Sequence, residues 1–249
     1  MDSITYIDLN ADVGEGVSTE AQIMPLISSC NVACGGHYGD RESTMKTLRL
    51  AQQHGVKVGA HPGYPDKANF GRVVMDISSQ ELYSSIRDQL KLFKSCCEEL
   101  NLKINHIKPH GALYNEAGRN QEVANTVVAA IADSGYNVPV YTQYIMLVLT
   151  ASENGIPTIK EAFVDRRYNG NYSLVSRKKK GSVINDPQAA WKQLSGFLFE
   201  GGITDYQGFH LSFTVLPKTY CVHGDTPNAL KILQYIHTQL AANHIQLKR

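Results

Sequence analysis

Residues 106–115 read HIKPHGALYN. In a β-strand, alternate side chains share one face. An extended segment over 104–110 therefore puts His106, Lys108 and His110 together, on what would ordinarily be an apolar face. The same alternation recurs along the chain. In 4–12, Ile7, Leu9 and Ala11 oppose Tyr6, Asp8, Asn10 and Asp12. In 56–61, Val56, Val58 and Ala60 oppose His61. In 158–165, Glu161, Phe163 and Asp165 share a face, and from 220 onward Cys221, His223 and Asp225 do so if the strand geometry continues. Buried charge left unpaired costs several kcal/mol per group, so such faces must be paired, hydrated or ligand-bound. The charges gather toward the carboxyl ends of the strands. There, α/β folds place their binding clefts.

Around these segments the chain alternates strand and helix. Strand patterns are expected at 4–12, 30–36, 56–61, 104–110, 138–142, 158–165 and 220–223. Residues 79–101 place Leu82, Ile86, Leu90, Phe93 and Cys97 at helical spacing, with a Ser78/Glu81 capping box in front. Residues 120–134 and 226–243 read as helices too. Asp186-Pro187 and Thr226-Pro227 each have the form of an N-cap followed by proline at the first helical position. Repeated strand–helix units imply parallel strands with crossover helices. Periodicity alone fits a closed barrel and an open doubly wound sheet equally. With no linker and no internal repeat, one α/β domain over 1–249 is expected.

Composition agrees. The 249 residues suit one α/β barrel, and 43 % apolar with 19 % charged residues is ordinary for a globular protein. A net charge of +1 supplies no field for nucleic acid or an anionic membrane surface. No apolar run approaches the roughly 20 residues that span a bilayer. The start, MDSITYIDLN, lacks the form of a signal peptide. The five cysteines are odd in number, and Cys96 and Cys97 are adjacent within a helical pattern. Both facts argue against a disulfide framework and for a reducing, cytoplasmic setting.

Carboxylates and imidazoles on separate strands suit acid–base chemistry, and Asp12, His61 and His110 are the leading candidates. One Asp with two His is also a recurrent divalent-metal ligand set, although no tight metal motif is present. His37, Lys108, Asp165 and His223 are further candidates, while His106 lies deeper and is expected to brace the others. Cys30 and Cys34 fall on an apolar face and read as core, and Cys221 as a buried thiol. Neither GxxxxGK[ST] nor GxGxxG occurs. Residues 165–168 (DRRY) and 177–180 (RKKK) are phosphate-contact candidates, weighed against solvated loop faces.

The segments DLNADVGEG (8–16), NVACGGHYGD (31–40), GAHPGYPD (59–66), FGR (70–72), HIKPHGALYN (106–115), FVDRRY (163–168) and CVHGD (221–225) together resemble the LamB/YcsF family over nearly the whole chain. The resemblance implies an irregular seven-stranded (β/α) barrel, similar to the glycoside hydrolase/deacetylase barrels. It implies an ATP-dependent hydrolase that opens the cyclic amide 5-oxoproline (pyroglutamate) to L-glutamate, using ATP and working with 5-oxoprolinase B and C subunits. Kinship with the deacetylase barrels adds a divalent metal on Asp12, His61 and His110. In that chemistry Asp12 or a neighbouring His activates water and His223 protonates a leaving group. Lys108 and Arg167 balance phosphate or carboxylate charge, and Asn10, His37 and Asp165 complete the substrate and phosphate contacts. Two positions depart from the family pattern: Ala11 stands where Cys is usual, and Gly36 where Phe is usual. Two other readings stay open: a stand-alone metal-dependent amidohydrolase or deacetylase, and a non-catalytic binding protein. A homo-oligomer is compatible with each.

Overall fold

The computed structural model describes residues 6–249, so the expected strand at 4–12 is seen from Tyr6 onward, and residues 4 and 5 lie outside the described part. In chain order the elements are β1 (Tyr6–Val13), α1 (Glu20–Ile23), β2 (Ser29–Ala33), α2 (Arg41–Gln53), β3 (Lys57–His61), α3 (Ser79–Glu99) and β4 (Ile104–Ile107). Then come α4 (Gly111–Ala117), α5 (Gln121–Ala132), β5 (Val140–Thr142), α6 (Ile145–Glu153), β6 (Thr158–Phe163) and α7 (Pro187–Ser195). The hairpin strands β7 (Gly202–Thr204) and β8 (His210–Ser212) follow, with β9 (Thr219–Cys221), α8 (Ala229–Ala242) and β10 (Gln246–Leu247) completing the chain.

Strands β1, β2, β3, β4, β5, β6 and β9 pair in that order, all parallel, and β9 returns to β1 through Asn10↔Cys221. That last pairing closes a seven-stranded barrel and removes the open-sheet alternative. The barrel is irregular. Its β4–β5 seam is the single pair Ile107↔Val140, and the β3–β4 register shifts between Val58 and Gly59. The β7–β8 hairpin is antiparallel and stands in the long β6–β9 connection, outside the barrel. Strand β10 adds to the start of β1.

The apolar strand faces look outward, as the alternation requires. Leu9, Ala11, Val58, Ala60, Ile107 and Val140 are all buried. Against them pack the inner faces of the helices, including Leu82, Ile86, Leu90, Phe93 and Cys97 of α3. Ser78 and Glu81 form the expected capping box on α3, and Asp186 caps α7 by accepting from the Ala189 amide at 2.8 Å. Thr226-Pro227 does not open α8. The helix starts two residues later behind Asn228, and the Thr226 hydroxyl is drawn instead to Asp165.

Strand β4 ends at Ile107, short of the expected 110, because Pro109 has no amide to donate. The extended pairing nevertheless continues past it. Lys108 N–H donates to the Ala60 carbonyl at 2.9 Å and His110 N–H to that of Pro62 at 2.8 Å. The alternation of His106, Lys108 and His110 is thereby kept. No described helix is long and apolar enough to cross a membrane.

Candidate active site

The barrel interior is polar from floor to mouth. At the floor, Asp8 accepts from Ser29 Oγ at 2.8 Å and Thr219 Oγ1 at 2.6 Å. Above it, Asn10 donates to Glu161 (3.1 Å) and Thr219 (2.7 Å) and accepts from Asn31 (2.7 Å). His106 stacks on Tyr141 at 3.9 Å and meets Asn31 Oδ1 through Nε2 at 2.6 Å, so it braces this layer as expected. Each of these contacts is made from within the protein, which is what makes a polar interior tolerable.

Lys108 forms the next layer. Its Nζ lies 3.1 Å from Asp12 Oδ1, 2.9 Å from Glu161 Oε1 and 3.1 Å from Cys221 Sγ. Burial pulls the ammonium down, but the carboxylates of Asp12 and Glu161 outweigh it and hold Lys108 well above its usual range. Burial likewise pushes Asp12 up, and Lys108 and then His61 overcome it, so the carboxylate sits well below its usual range. Lys108 is a buried cation enclosed beneath Asp12. Burial raises the Cys221 thiol well above its usual value, which makes it a packed neutral group.

Around Asp12 the mouth carries two imidazole systems. On one side, His61 Nε2 is 3.5 Å from Asp12 Oδ2, and His110 Nδ1 is 3.0 Å from His61 Nε2. His37 stacks on His110 at 3.6 Å with planes 4° apart. Glu15 Oε1 lies 3.0 Å from His37 Nε2 and 3.4 Å from His110 Nδ1. Burial first, then the charges of Asp12 and Asp225, raise the Glu15 carboxyl well above its usual range. Burial also lowers His37 and His110 well below theirs, aided by neighbouring imidazoles.

On the other side, His223 Nδ1 lies 2.9 Å from Asp165 Oδ1, and the His223 amide donates to Asp165 Oδ2 at 3.0 Å. Asp12, Cys221 and His223 each offer a ligand-type atom within 4.8 Å of the other two. The two imidazole systems therefore share one carboxylate, Asp12.

The structure thus gathers Asn10, Asp12, His37, His61, Lys108, His110, Asp165 and His223 in one interior. Arg167 sits on the loop after β6, where its amide donates to the Ser182 carbonyl. Two other cations meet at Asp225: Arg72 pairs with it, and Arg177 lies 3.8 Å from its Oδ1. Residue-level reading did not single out Glu15, Asn31 or Arg72.

The Gly36 departure also has a structural counterpart. A Cβ at Gly36 would fall 2.3 Å from Gln89 Oε1. Gln89 uses that space to clamp Gly63, accepting from its amide and donating to its carbonyl, each at 2.9 Å. Ala11 is buried on the outer barrel face, away from the interior polar groups.

A buried group able to hold a divalent metal is present: Glu15, His37, His61 and His110 offer ligand atoms within 4.8 Å of one another. Imidazole and carboxylate donors suit zinc-type ions, so this donor set fits one. Asp12, expected to be the carboxylate ligand, stands beside His61 but has its Oδ1 engaged by Lys108 and Asn31.

Comparison with known proteins agrees with the architecture. The chain is 36 % identical over 249 residues to the 5-oxoprolinase A subunit of Staphylococcus carnosus (strain TM300), covering 98 % of each. It is 37 % identical over 245 residues to that of Symbiobacterium thermophilum, covering 96 % of this chain and 93 % of the relative. The crystal structure of a lactam utilization protein from Thermus thermophilus matches with a TM-score of 0.89 at 32 % identity, covering 98 % of this chain and 99 % of that one. A peptidoglycan N-acetylglucosamine deacetylase matches at 12 % identity with a TM-score of 0.50, over 98 % of this chain and 86 % of its own, and shares the fold alone. The family model described as LamB/YcsF matches residues 7–249, from the first described strand to the last residue, and the chain belongs to the LamB/YcsF family.

Proposed function

We propose that this chain is the A subunit of an ATP-dependent 5-oxoprolinase, which opens 5-oxoproline to L-glutamate together with B and C subunits. The observation that carries the reading is the place of Asp12, an ionised carboxylate with His61 on one flank and His223 on the other. The names of the full-length relatives supply the substrate.

A five-membered lactam is a resonance-stabilised amide with little ring strain, so water attacks it slowly. Transfer of the γ-phosphoryl group of ATP to the lactam oxygen yields an imidate phosphate and ADP. Water then adds to the imidate carbon. The C–N bond breaks as the ring nitrogen takes a proton, and a second water cleaves the remaining acyl phosphate to glutamate and phosphate. In this scheme Asp12, kept ionised by Lys108, receives the proton of the attacking water, with His61 orienting it. His223, held by Asp165, delivers the proton to the ring nitrogen. Arg72 and Arg177 at the rim balance phosphate or substrate carboxylate charge. Asn10 and Asn31 fix the Asp12 layer from below. A divalent ion at the Glu15 cluster, when bound, would polarise an oxygen or lower the pKa of a water.

The test is 5-oxoproline-dependent release of ADP and glutamate, by this chain alone and with its B and C partners, each with and without chelator. Turnover confined to the full set supports the reading. A second reading, ATP-independent and metal-dependent amide hydrolysis by the lone chain, is favoured by the Glu15 cluster. It requires hydrolysis of simple amides without ATP, abolished by chelator.

A further inference from the structure

His61 and His110 have their tautomers set by backbone carbonyls. His61 Nδ1 lies 2.7 Å from the Lys108 carbonyl oxygen, and His110 Nε2 lies 2.9 Å from that of Phe70. A carbonyl oxygen only accepts, so each of those nitrogens carries the hydrogen. In neutral rings the remaining nitrogens, His61 Nε2 and His110 Nδ1, are then bare lone pairs. They face each other at 3.0 Å, both buried, with the rings at 88°. Two lone pairs aimed at one point repel unless a positive centre lies between them.

Glu15 Oε1 is turned toward the same point, 3.4 Å from His110 Nδ1 and 4.0 Å from His61 Nε2. Donors sharing one ion through bonds of about 2.0–2.2 Å lie no more than about 4.4 Å apart. All three separations satisfy that limit. Outer hydrogen bonds from ligand imidazoles to backbone carbonyls are also the usual support of metal-binding histidines.

We infer that Glu15 Oε1, His61 Nε2 and His110 Nδ1 form a site for one divalent transition ion of the zinc type, with its other positions open toward the mouth. The set is two imidazoles and one carboxylate, an arrangement that leaves coordination positions for water or a substrate oxygen. His37 is not a ligand in this arrangement. It lies parallel to His110 at 3.6 Å, so an ion in the plane of His110 is far out of the plane of His37, whereas imidazole donates along its ring plane. Its Nε2, 3.0 Å from Glu15 Oε1, instead positions the carboxylate. Asp12 is likewise outside the set: its Oδ2 lies 3.5 Å from His61 Nε2, but it is not among the ligand atoms gathered within 4.8 Å of one another around Glu15, His61 and His110, and it groups instead with Cys221 and His223.

This site does not depend on which amide is opened, and it is read by binding rather than turnover. The full chain is stripped with chelator, offered Zn2+ or Co2+, and dialysed. Metal content and the visible absorption of bound Co2+ are then measured, with circular dichroism checking the fold. About one equivalent should be retained, and the Co2+ bands of an ordered site should appear. Glu15→Gln, His61→Ala and His110→Ala should each lose the retained ion, whereas Asp12→Asn should keep it. His37→Ala should weaken binding by roughly 10–100-fold, as loss of a supporting partner does, and leave the stoichiometry unchanged. Retention of no ion by the wild-type chain would overturn the inference and leave a shared proton between the two nitrogens. Loss in Asp12→Asn with retention in Glu15→Gln would overturn it equally, placing the ion on the other carboxylate.

Discussion

The ammonium of Lys108 lies 3.1 Å from Asp12 and 2.9 Å from Glu161, and it bridges two buried carboxylates at the base of the barrel mouth. Removing one partner of such a network leaves uncompensated charge in a dry interior. Lys108→Met should destabilise the fold by roughly 3–5 kcal/mol, measured by urea denaturation. It should also raise the Asp12 carboxyl, whose depression comes first from Lys108 among the opposing influences. Unchanged stability would mean that the network is solvated in solution.

Asp12→Asn tests chemistry apart from folding. Asparagine keeps the shape and can still pair with Asn31, but it can neither take a proton nor hold the negative charge. Turnover of the assembled enzyme should fall by roughly 10²–10⁴ with folding retained. A loss of less than about threefold would remove Asp12 from its role as base. His223→Ala should fall in the same range.

Acid stability follows from Asp165. Burial pushes its carboxyl up, but His223 and the Thr226 hydroxyl outweigh this and bring it to about 2, against 3.8 ordinarily. The folded state therefore favours the ionised form. The stabilisation is complete above the unfolded value and is lost as pH falls from there through about 2. Its size is roughly 2 kcal/mol. Denaturation midpoints taken near neutrality and in acid should show that Asp165→Asn, already lacking this carboxylate, loses correspondingly less stability on acidification than the wild-type chain. Equal losses in both proteins would contradict the Asp165–His223 coupling.

Gly36 and Gln89 should behave as one unit. Gly36→Ala puts a Cβ where the Gln89 amide lies and displaces both of its bonds to Gly63. The cost should be about 1–3 kcal/mol in the wild-type background. In a Gln89→Ala background the same change should be nearly neutral, so a double-mutant cycle measures the coupling. Additive effects would show that the two residues are independent.

Strand alternation made the polar interior legible. Asp12, His61, Lys108 and His110 each sit where a two-residue period puts them, and Pro109 interrupts the ladder without breaking that period. Closure was not legible from periodicity, because it resides in the β1–β9 pairing, and strand–helix repeats look alike in barrels and open sheets. The family resemblance supplied the barrel. Glu15 escaped because it follows Gly14, whose φ of +74° ends the alternation, so its inward aim exists only in three dimensions. The β7–β8 hairpin escaped for a different reason: three-residue strands are too short to show a period. Thr226-Pro227 misled because an N-cap pattern is local, while the Thr226 hydroxyl found a stronger acceptor across the barrel in Asp165.

The central claim, that Asp12 of this chain serves lactam opening, is tested most directly by glutamate formation from 5-oxoproline and ATP. The reconstituted three-subunit enzyme is assayed with this chain either wild type, Asp12→Asn or omitted. Coupled release of ADP and glutamate is predicted with the wild-type chain, and loss of glutamate in the other two mixtures. Equal glutamate formation without this chain, or with Asp12→Asn in its place, would contradict the claim.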